Sequence, residues 1–326
     1  MPKILIAPST LANIDGLFLQ LLRAAGFEIA YPQRPAQMTE AELFQQLHGV
    51  AATIAGSEPY TRRVLAAHPQ LKVIARAGVG FDAVDVKAAT DHGVAVCTTP
   101  GTNQDAVAEF TFAMMLALAK ELVPQHLSVK AGGWPRKALV PLRGRTLGIV
   151  GLGRIGKAVA VRGEVFGMKL LAYEPMPDHA FCKEHGVTLV ALEQLLAESD
   201  FVTVHVPLMP ESKHLINKKS LALMKPTAYL INTARGGLVH EGDLAEALKA
   251  KKIAGAGIDV FEKEPPGTSP LFALDNVVLA PHAAGVDLQS RDDMAYSSAR
   301  SIVTLKKGGW PEAEVVNREV QGKFRW

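Results

Sequence analysis

Cysteine is nearly absent from this chain: Cys97 and Cys182 are the only two. Their spacing suits neither a metal site nor a disulfide framework, so both are expected as buried thiols in a reducing compartment, the cytoplasm. Long apolar runs are also lacking. The most apolar stretch, 106–119, covers 14 residues and contains Glu109. That suits a buried helix and is too short for a membrane span. The first nine residues carry one lysine and an apolar run only from Ile4 to Pro8, the pattern of a first strand and not of a secretion signal. No block of like charges occurs, and the net charge is only +3, which argues against nucleic acid or an anionic membrane as partner. What is there is a 326-residue chain, 48% apolar and 21% charged, enough for two domains with large cores.

One stretch organises the rest. Thr146, Leu147, Ile149 and Val150 read as a short buried strand. Gly151, Gly153 and Gly156 follow in the G-x-G-x-x-G spacing, and 157–168 reads as a helix. Gly151 makes the tight turn, Gly153 admits a pyrophosphate to the backbone, and Gly156 lets helix and strand pack closely. The helix start, with Arg154 and Ile155 inside the fingerprint, offers N–H groups and a positive dipole end to phosphates. A second strand, 169–173, ends at Glu174, 18 residues beyond Gly156. The acid that binds the adenosine ribose hydroxyls is expected about 20 residues on. A carboxylate there repels a 2′-phosphate, so NAD is expected over NADP.

Upstream, residues 1–99 alternate strands (3–7, 28–31, 51–55, 73–76, 94–97) with helices. A helix over 14–25 is ended by Gly26, and one over 39–47 opens with the Thr39/Glu42 capping-box pattern. This βαβ alternation predicts a parallel sheet with helices on both faces, a separate α/β domain without a nucleotide fingerprint. The loop from Arg76 through Ala77, Gly78 and Val79 to Asp82 sets two glycines just after a strand. Free N–H groups there suit a carboxylate, and an ordinary tight turn equally. Thr99-Pro100-Gly101 marks a boundary. The helix expected over 103–122 puts Phe110, Ala113, Met114, Ala117 and Leu118 on one face. Its breadth of apolar surface is met either by a subunit interface or by the monomer's own core. Residues 124–145 read as an irregular basic segment containing Arg136.

Downstream, strands are expected at 188–190, 201–206, 228–232, 257–260 and 277–280, with a short helix at 192–198. Strands apolar throughout are buried on both faces, as in a doubly wound parallel sheet, where ligands sit outside the carboxyl ends of the strands. Arg235, Glu264 and His282 each fall just beyond such an end. Hydride transfer between a nicotinamide and a carbinol needs such groups. Histidine moves the hydroxyl proton in either direction near neutral pH. A carboxylate beside it stabilises the protonated ring and selects the nitrogen that faces substrate. A guanidinium clamps a carboxylate through two parallel bonds. His48, His68, His92 and His185 have no such partners in sequence and are expected at the surface.

These words together resemble the D-isomer-specific 2-hydroxyacid dehydrogenase family, and within it the phosphoglycerate dehydrogenases. They are Arg76 to Asp82, Gly151 to Gly156, Asn232-Thr233-Ala234-Arg235-Gly236-Gly237, Asp259-Val260-Phe261 with Glu264-Pro265, and Pro281-His282. The resemblance covers about 50–285. It implies a Rossmann NAD domain, 100–286, inserted in a flavodoxin-like substrate domain, 1–99 with 287–326. It implies that Arg235 binds substrate, that Glu264 supports His282 and that His282 is the acid–base. Asp259 and Thr233 or Ala234 would contact the nicotinamide half, while His205 and Pro207 line the adenosine side. Backbone at Ala77, Gly78 and Val79 would receive the substrate carboxylate, with Arg76 adding charge. A homodimer through 100–145 is implied too.

Departures bear on the substrate. Ala283-Ala284-Gly285-Val286 lacks the hydroxyl residue often seen after the histidine, and Glu174 stands where aspartate is commoner. Loop 55–59 has Glu58 and no basic residue. The regulatory domain of longer relatives is not expected. Among substrates, 3-phosphoglycerate, glyoxylate, hydroxypyruvate and sugar acids stay open. So does a second reading, in which NAD is a sensory ligand of a corepressor-like protein with little turnover.

Overall fold

The computed structural model describes residues 1–33 and 37–326. The chain divides into two compact units, Met1–Asn103 with Val286–Trp326, and Gln104–Gly285. In the first, strands β1 (Lys3–Ile6), β2 (Glu28–Ala30), β3 (Val50–Ala55), β4 (Val73–Arg76) and β5 (Ala95–Cys97) alternate with helices α1 (Leu17–Ala24), α2 (Glu40–Gln46), α3 (Arg62–Ala67) and α4 (Val86–Asp91). The strands run parallel in the order β2-β1-β3-β4-β5, the flavodoxin-like order.

Local chemistry explains where the helices begin. The capping box of α2 is formed: Glu42 N–H donates to Thr39 Oγ1 (3.3 Å) and Thr39 N–H donates to Glu42 Oε2 (2.8 Å). Helices α3 and α4, which the pattern does not announce, start at Thr61 and Asp85 caps. Helix α1 starts at 17, later than expected, because Asn13 is left-handed and Gly16 is extended. Gly26, at φ 77°, ends it.

The second unit holds α5 (Gln104–Ala119), α6 (Leu122–Lys130), β6 (Thr146–Val150), α7 (Arg154–Val165), β7 (Lys169–Tyr173), α8 (His179–Glu184), β8 (Val187–Leu189), α9 (Leu192–Glu198), β9 (Phe201–Val204), α10 (Lys218–Leu221), β10 (Tyr229–Asn232), α11 (Glu241–Lys249), β11 (Gly255–Ile258) and β12 (Val277–Leu279). Its seven parallel strands lie in the order β12-β11-β10-β9-β6-β7-β8. The order reverses between β6 and β9, the switch point at which open sheets of this kind bind ligands.

Two expectations for this unit need correction. The single helix over 103–122 is broken at Glu121, whose φ is 46°. Pro124 accounts for the break: inside a continuous helix it would remove a hydrogen bond and clash with the carbonyl of Lys120, but in the first turn of α6 it costs nothing. Helix α6 therefore occupies ground expected to be irregular. The face of α5 also needs one change: Ala106, Val107, Phe112, Met114, Met115 and Leu118 are buried, in keeping with its breadth, but Ala113 is exposed.

The chain then returns to the first unit as α12 (Leu288–Lys306), capped by Asp287, which accepts from Ser290 N–H. Ala295, Ala299 and Ile302 pack with Phe18, Leu19 and Leu22 of α1. The segment after α12 runs antiparallel beside β5, with Thr98 N–H donating to Glu314 O (2.9 Å) and Val316 N–H to Val96 O (2.8 Å). Cys97 and Cys182 are free, buried thiols, and burial pushes Cys97 up to about 12. His68 corrects another expectation. It is buried against the rings of Phe44 and His48, because it caps α3 on the inner side. His185 pairs with Glu164 at 2.8 Å. Among the described residues no helix is long and apolar enough to cross a membrane.

Asn317 fastens the returning segment. Buried, it accepts from Val96 N–H (2.9 Å) and donates to Val94 O (2.9 Å) and Thr90 Oγ1 (3.0 Å). Asn317→Ala strands two backbone groups of β5 and its approach, so urea unfolding is expected to lose about 2–4 kcal/mol. An unchanged midpoint would refute this account of the closure.

Candidate active site

The glycine turn joins β6 to α7 at the switch point. Gly151 has φ 97°, and a Cβ on it would meet His205 C and Val206 N at 2.9 Å. On Gly156 a Cβ would come to 2.1 Å from Gly151 O. Both residues are glycine because backbone approaches backbone there. Gly153 differs, since nothing lies within 4 Å of its Cβ direction. The space it leaves is where a pyrophosphate can reach the chain. Helix α7 starts at Arg154, three residues earlier than expected. Arg154, Ile155 and Gly156 therefore form its first turn, whose N–H groups have no intrahelical partners.

Glu174 faces this turn. Its Oε2 accepts from Leu152 N–H (2.8 Å) and its Oε1 from Met176 N–H (3.0 Å). The 18-residue spacing thus becomes direct contact at the crevice. His205 N–H donates to Val150 O (2.7 Å), which draws the end of β9 against the turn. The His205 ring is committed inward: Nε2 pairs with Thr203 Oγ1 at 2.7 Å, and Nδ1 is buried without a protein partner. Burial pushes its pKa down to about 3, so the ring is neutral at working pH. Pro207 lies beyond it at the surface, its carbonyl accepting from Ser212 Oγ (2.7 Å).

The segments after β10, β11 and β12 carry Arg235, Glu264 and His282. After β10, the Asn232 amide braces the turn by donating to Arg235 O (2.9 Å) and accepting from Ala234 N–H (3.1 Å). Thr233 is buried against Thr111, oxygen to oxygen at 3.0 Å, and Arg235 Nη1 donates to Ala234 O (2.6 Å). A Cβ on Gly236 would fall 1.9 Å from Phe261 C, so the Arg235 and Glu264 loops touch backbone to backbone.

After β11, Asp259 is fully buried and accepts from Ala283 N–H (2.8 Å) and Ala284 N–H (3.0 Å). Burial raises its pKa, opposed by those two N–H groups and by His282. This use of Asp259 was missed in the sequence: it clamps the turn in which His282 stands left-handed at φ 55°. His282 N–H donates to Asp259 O (2.7 Å).

Glu264 Oε1 accepts from Phe261 N–H (3.0 Å), and Oε2 lies 2.6 Å from His282 Nδ1. Burial pushes the Glu264 carboxyl up, but the His282 bond and charge, Phe261 N–H and Arg235 outweigh it and hold it below the usual range. An ionised carboxylate only accepts, so the proton lies on Nδ1. Nε2 is then the nitrogen left to exchange a proton with a ligand.

In the first unit the loop after β4 is partly spent. Ala77 N–H donates to Ala55 O (2.9 Å) and Gly78 N–H to Thr99 Oγ1 (3.0 Å). Of the expected trio only Val79 N–H, joined by Gly80 N–H, has no partner among the described residues. The cause is that Ala77 still belongs to the sheet ladder. Arg76 is buried, with Nε donating to Gly80 O (2.9 Å). Its charge acts on buried Glu58, whose pKa is raised by burial and lowered in part by its own N–H, Arg76 and Gly56. Arg136 is exposed.

A glycine turn at the start of a helix with a carboxylate facing it, and an imidazole–carboxylate pair after neighbouring strands, are the features of a nicotinamide-dependent oxidoreductase. The model for the NAD-binding domain of the D-isomer specific 2-hydroxyacid dehydrogenases matches residues 112–284; the chain belongs to that family of NAD-dependent enzymes, which act on CH–OH groups. It is 46% identical over 272 residues to a glyoxylate reductase of Korarchaeum cryptofilum, covering 81% of each chain. It is 40% identical over 284 residues to a D-3-phosphoglycerate dehydrogenase of Methanocaldococcus jannaschii, covering 86% of this chain and 54% of that one. Among solved structures it resembles a D-lactate dehydrogenase from Aquifex aeolicus complexed with NAD and lactic acid. There the TM-score is 0.85 at 30% identity, covering 96% and 99% of the chains. The open Gly153 and the unpaired first turn of α7 fit such a cofactor.

His205 makes the fold acid-sensitive. Its pKa is about 3 when folded against about 6.5 unfolded, so the unfolded chain takes the proton first. Stability is therefore lost as pH falls through that window, by about 2 kcal/mol at pH 5. His205→Asn is expected to reduce the drop in unfolding free energy between neutral pH and pH 5; an identical drop would contradict the assignment.

Proposed function

We propose that the chain reduces small 2-oxo acids to D-2-hydroxy acids, glyoxylate and hydroxypyruvate foremost, with His282 as the proton donor. The observation carrying this is the 2.6 Å pair between Glu264 and His282 Nδ1, which leaves Nε2 for the substrate oxygen. Bound NADH supplies the hydride. The residues do the rest. His282 Nε2 gives its proton to the carbonyl oxygen as the carbon becomes a carbinol, and in the reverse direction takes it back. Glu264 stabilises the protonated ring and fixes its tautomer. Arg235 clamps the substrate carboxylate and draws on the adjacent carbonyl. In the first unit, the N–H groups of Val79 and Gly80 suit a carboxylate.

For the cofactor, the fingerprint glycines, Arg154, Ile155 and Glu174 serve phosphates and ribose. His205 and Pro207 back the adenosine side, and Thr233, Ala234 and Asp259 the nicotinamide side. Glu174 favours NAD over NADP by charge.

Charge supports a small substrate over 3-phosphoglycerate. Loop 55–59 brings a buried carboxyl, Glu58, under the influence of Arg76, so positive charge there is opposed and not surplus. The glyoxylate reductases among the relatives agree with this choice. An intact proton-transfer pair favours turnover over a purely sensory role.

A panel of 2-oxo acids with NADH, followed by cofactor absorbance, tests the reading, and glyoxylate or hydroxypyruvate should exceed 3-phosphohydroxypyruvate in kcat/KM. His282→Ala should lower kcat by roughly 10²- to 10⁴-fold while leaving NADH affinity nearly unchanged. Loss of NADH binding instead would overturn its role.

We further propose a homodimer through 100–145. Helix α6 buries none of its residues, and Leu122 and Leu127 are 62% and 59% exposed, with Trp134 exposed beyond them. Apolar side chains so placed suit a second copy of the same face. Sedimentation should give a mass near twice the 34.9 kDa chain, and Leu127→Asp should shift it toward one. A monomer at all concentrations would exclude the dimer.

A further inference from the structure

Two positions before Glu264, in the same loop, Glu262 makes a second set of ties. Its Oε1 accepts from Glu241 N–H, the first residue of α11, at 2.8 Å. Its Oε2 meets His214 Nε2 at 3.1 Å. His214 is itself held: left-handed at φ 52°, it donates its N–H to Gly237 O (2.8 Å). Its ring stands edge-on to His240, 4.8 Å between centres. His240 in turn caps α11, with Nδ1 accepting from Asp243 N–H (3.1 Å). One carboxylate therefore binds together the segments that follow β9, β10 and β11.

The third of these segments carries Glu264. The bond from Phe261 N–H to Glu264 lies within the loop, so it shapes the loop without placing it in the unit. The two bonds of Glu262 leave the loop and reach separate elements. They join the contact at Gly236, where backbone meets the backbone of Phe261 and Glu262. We propose that Glu262 is a positioning residue, which by bridging His214 and the start of α11 sets the loop from which Glu264 reaches His282. This deepens the reading of His282 as proton donor and rests on it.

The charges nearby agree. Around Glu262 stand His214 and His240 from the other two segments, and Glu241, whose own carboxylate accepts from Ser269 Oγ. Burial pushes the Glu262 carboxyl up, but Glu241 N–H, the His214 bond and the charges of His214 and His240 hold it below the usual range. It is thus ionised and accepts both bonds. Around Glu264 stand His282, Arg235 and Asp259. A loosened loop lets the Glu264 carboxylate drift from the imidazole, and the protonated ring loses part of its support.

The pH profile of kcat/KM for 2-oxo acid reduction reads this directly, because the rate falls with rising pH as His282 loses the proton it must give. Glu264→Gln should move the midpoint of that fall to lower pH by about one unit. Glu262→Gln, which keeps shape and an acceptor for Glu241 N–H, and His214→Gln should each move it the same way by about half a unit. Glu262→Asp should recover part of the shift. A merely structural role would lower kcat evenly at every pH and leave the midpoint in place, and that result would overturn the proposal. If Glu264→Gln itself leaves the midpoint unmoved, the parent reading of the pair fails. If it moves while Glu262→Gln and His214→Gln do not, only the role of Glu262 fails.

Discussion

The hydrogen bond between Glu264 and His282 is short, and it joins loops that leave two different strands. Such a bond exists only if both loops are placed to within a fraction of an ångström. Much of the second unit can be understood as the means of placing them. Parallel strands β11 and β12 run side by side in fixed register, so their carboxyl ends open at one edge. Asp259 then converts that register into geometry. Its carboxylate takes two successive N–H groups after His282, and its carbonyl takes the N–H of His282 itself. Burying a carboxylate is costly unless it is bonded, and here each bond closes the same turn. The left-handed backbone at His282 is a local strain that this clamp offsets.

The same logic governs the glycines. At Gly151, Gly156 and Gly236 a methyl group would overlap backbone of a neighbouring segment. Backbone cannot swing aside as the end of a side chain can. These three positions therefore bring chain segments closer than any other residue allows, and that closeness builds the crevice on one side and the reactive edge on the other. Of the three fingerprint glycines, Gly153 is the one that faces open space. Its glycine serves whatever enters the crevice and not the packing of the protein.

Much of this was legible in the sequence, and the reason lies in period and spacing. Strands buried on both faces are written as continuous apolar runs, so 201–204 and 229–232 stand out, and 18 residues from Gly156 to Glu174 is one helix plus one strand. Arg235, Glu264 and His282 could be named because in a parallel sheet every strand end lies at one edge. What the sequence concealed was contact made by side chains with distant backbone. Nothing near Asp259 says that it will hold Ala283 and Ala284, and nothing near Glu58 says that its carboxyl will lie buried within reach of Arg76. The break at Glu121 did have a signal, Pro124, whose missing N–H fits only a first turn. The burial of His68 had none, since a histidine after a short helix reads like any surface residue until Phe44 covers it.

Read from the crevice outward, the second unit separates two tasks that share one sheet. At the glycine turn after β6 the carboxylate of Glu174 bonds to backbone, the N–H groups of Leu152 and Met176, and the glycines dictate where the neighbouring N–H groups stand. Around β10, β11 and β12 bonds run between carboxylates and imidazoles, Glu262 with His214 and Glu264 with His282. Backbone donors do not titrate, and side-chain pairs do. Binding of the dinucleotide should therefore vary little with pH where the rate of proton transfer varies much. His205, at the border between the two halves, supports the division. Burial keeps its ring neutral down to about pH 3, so no charge develops beside the glycine turn against which its N–H draws the end of β9.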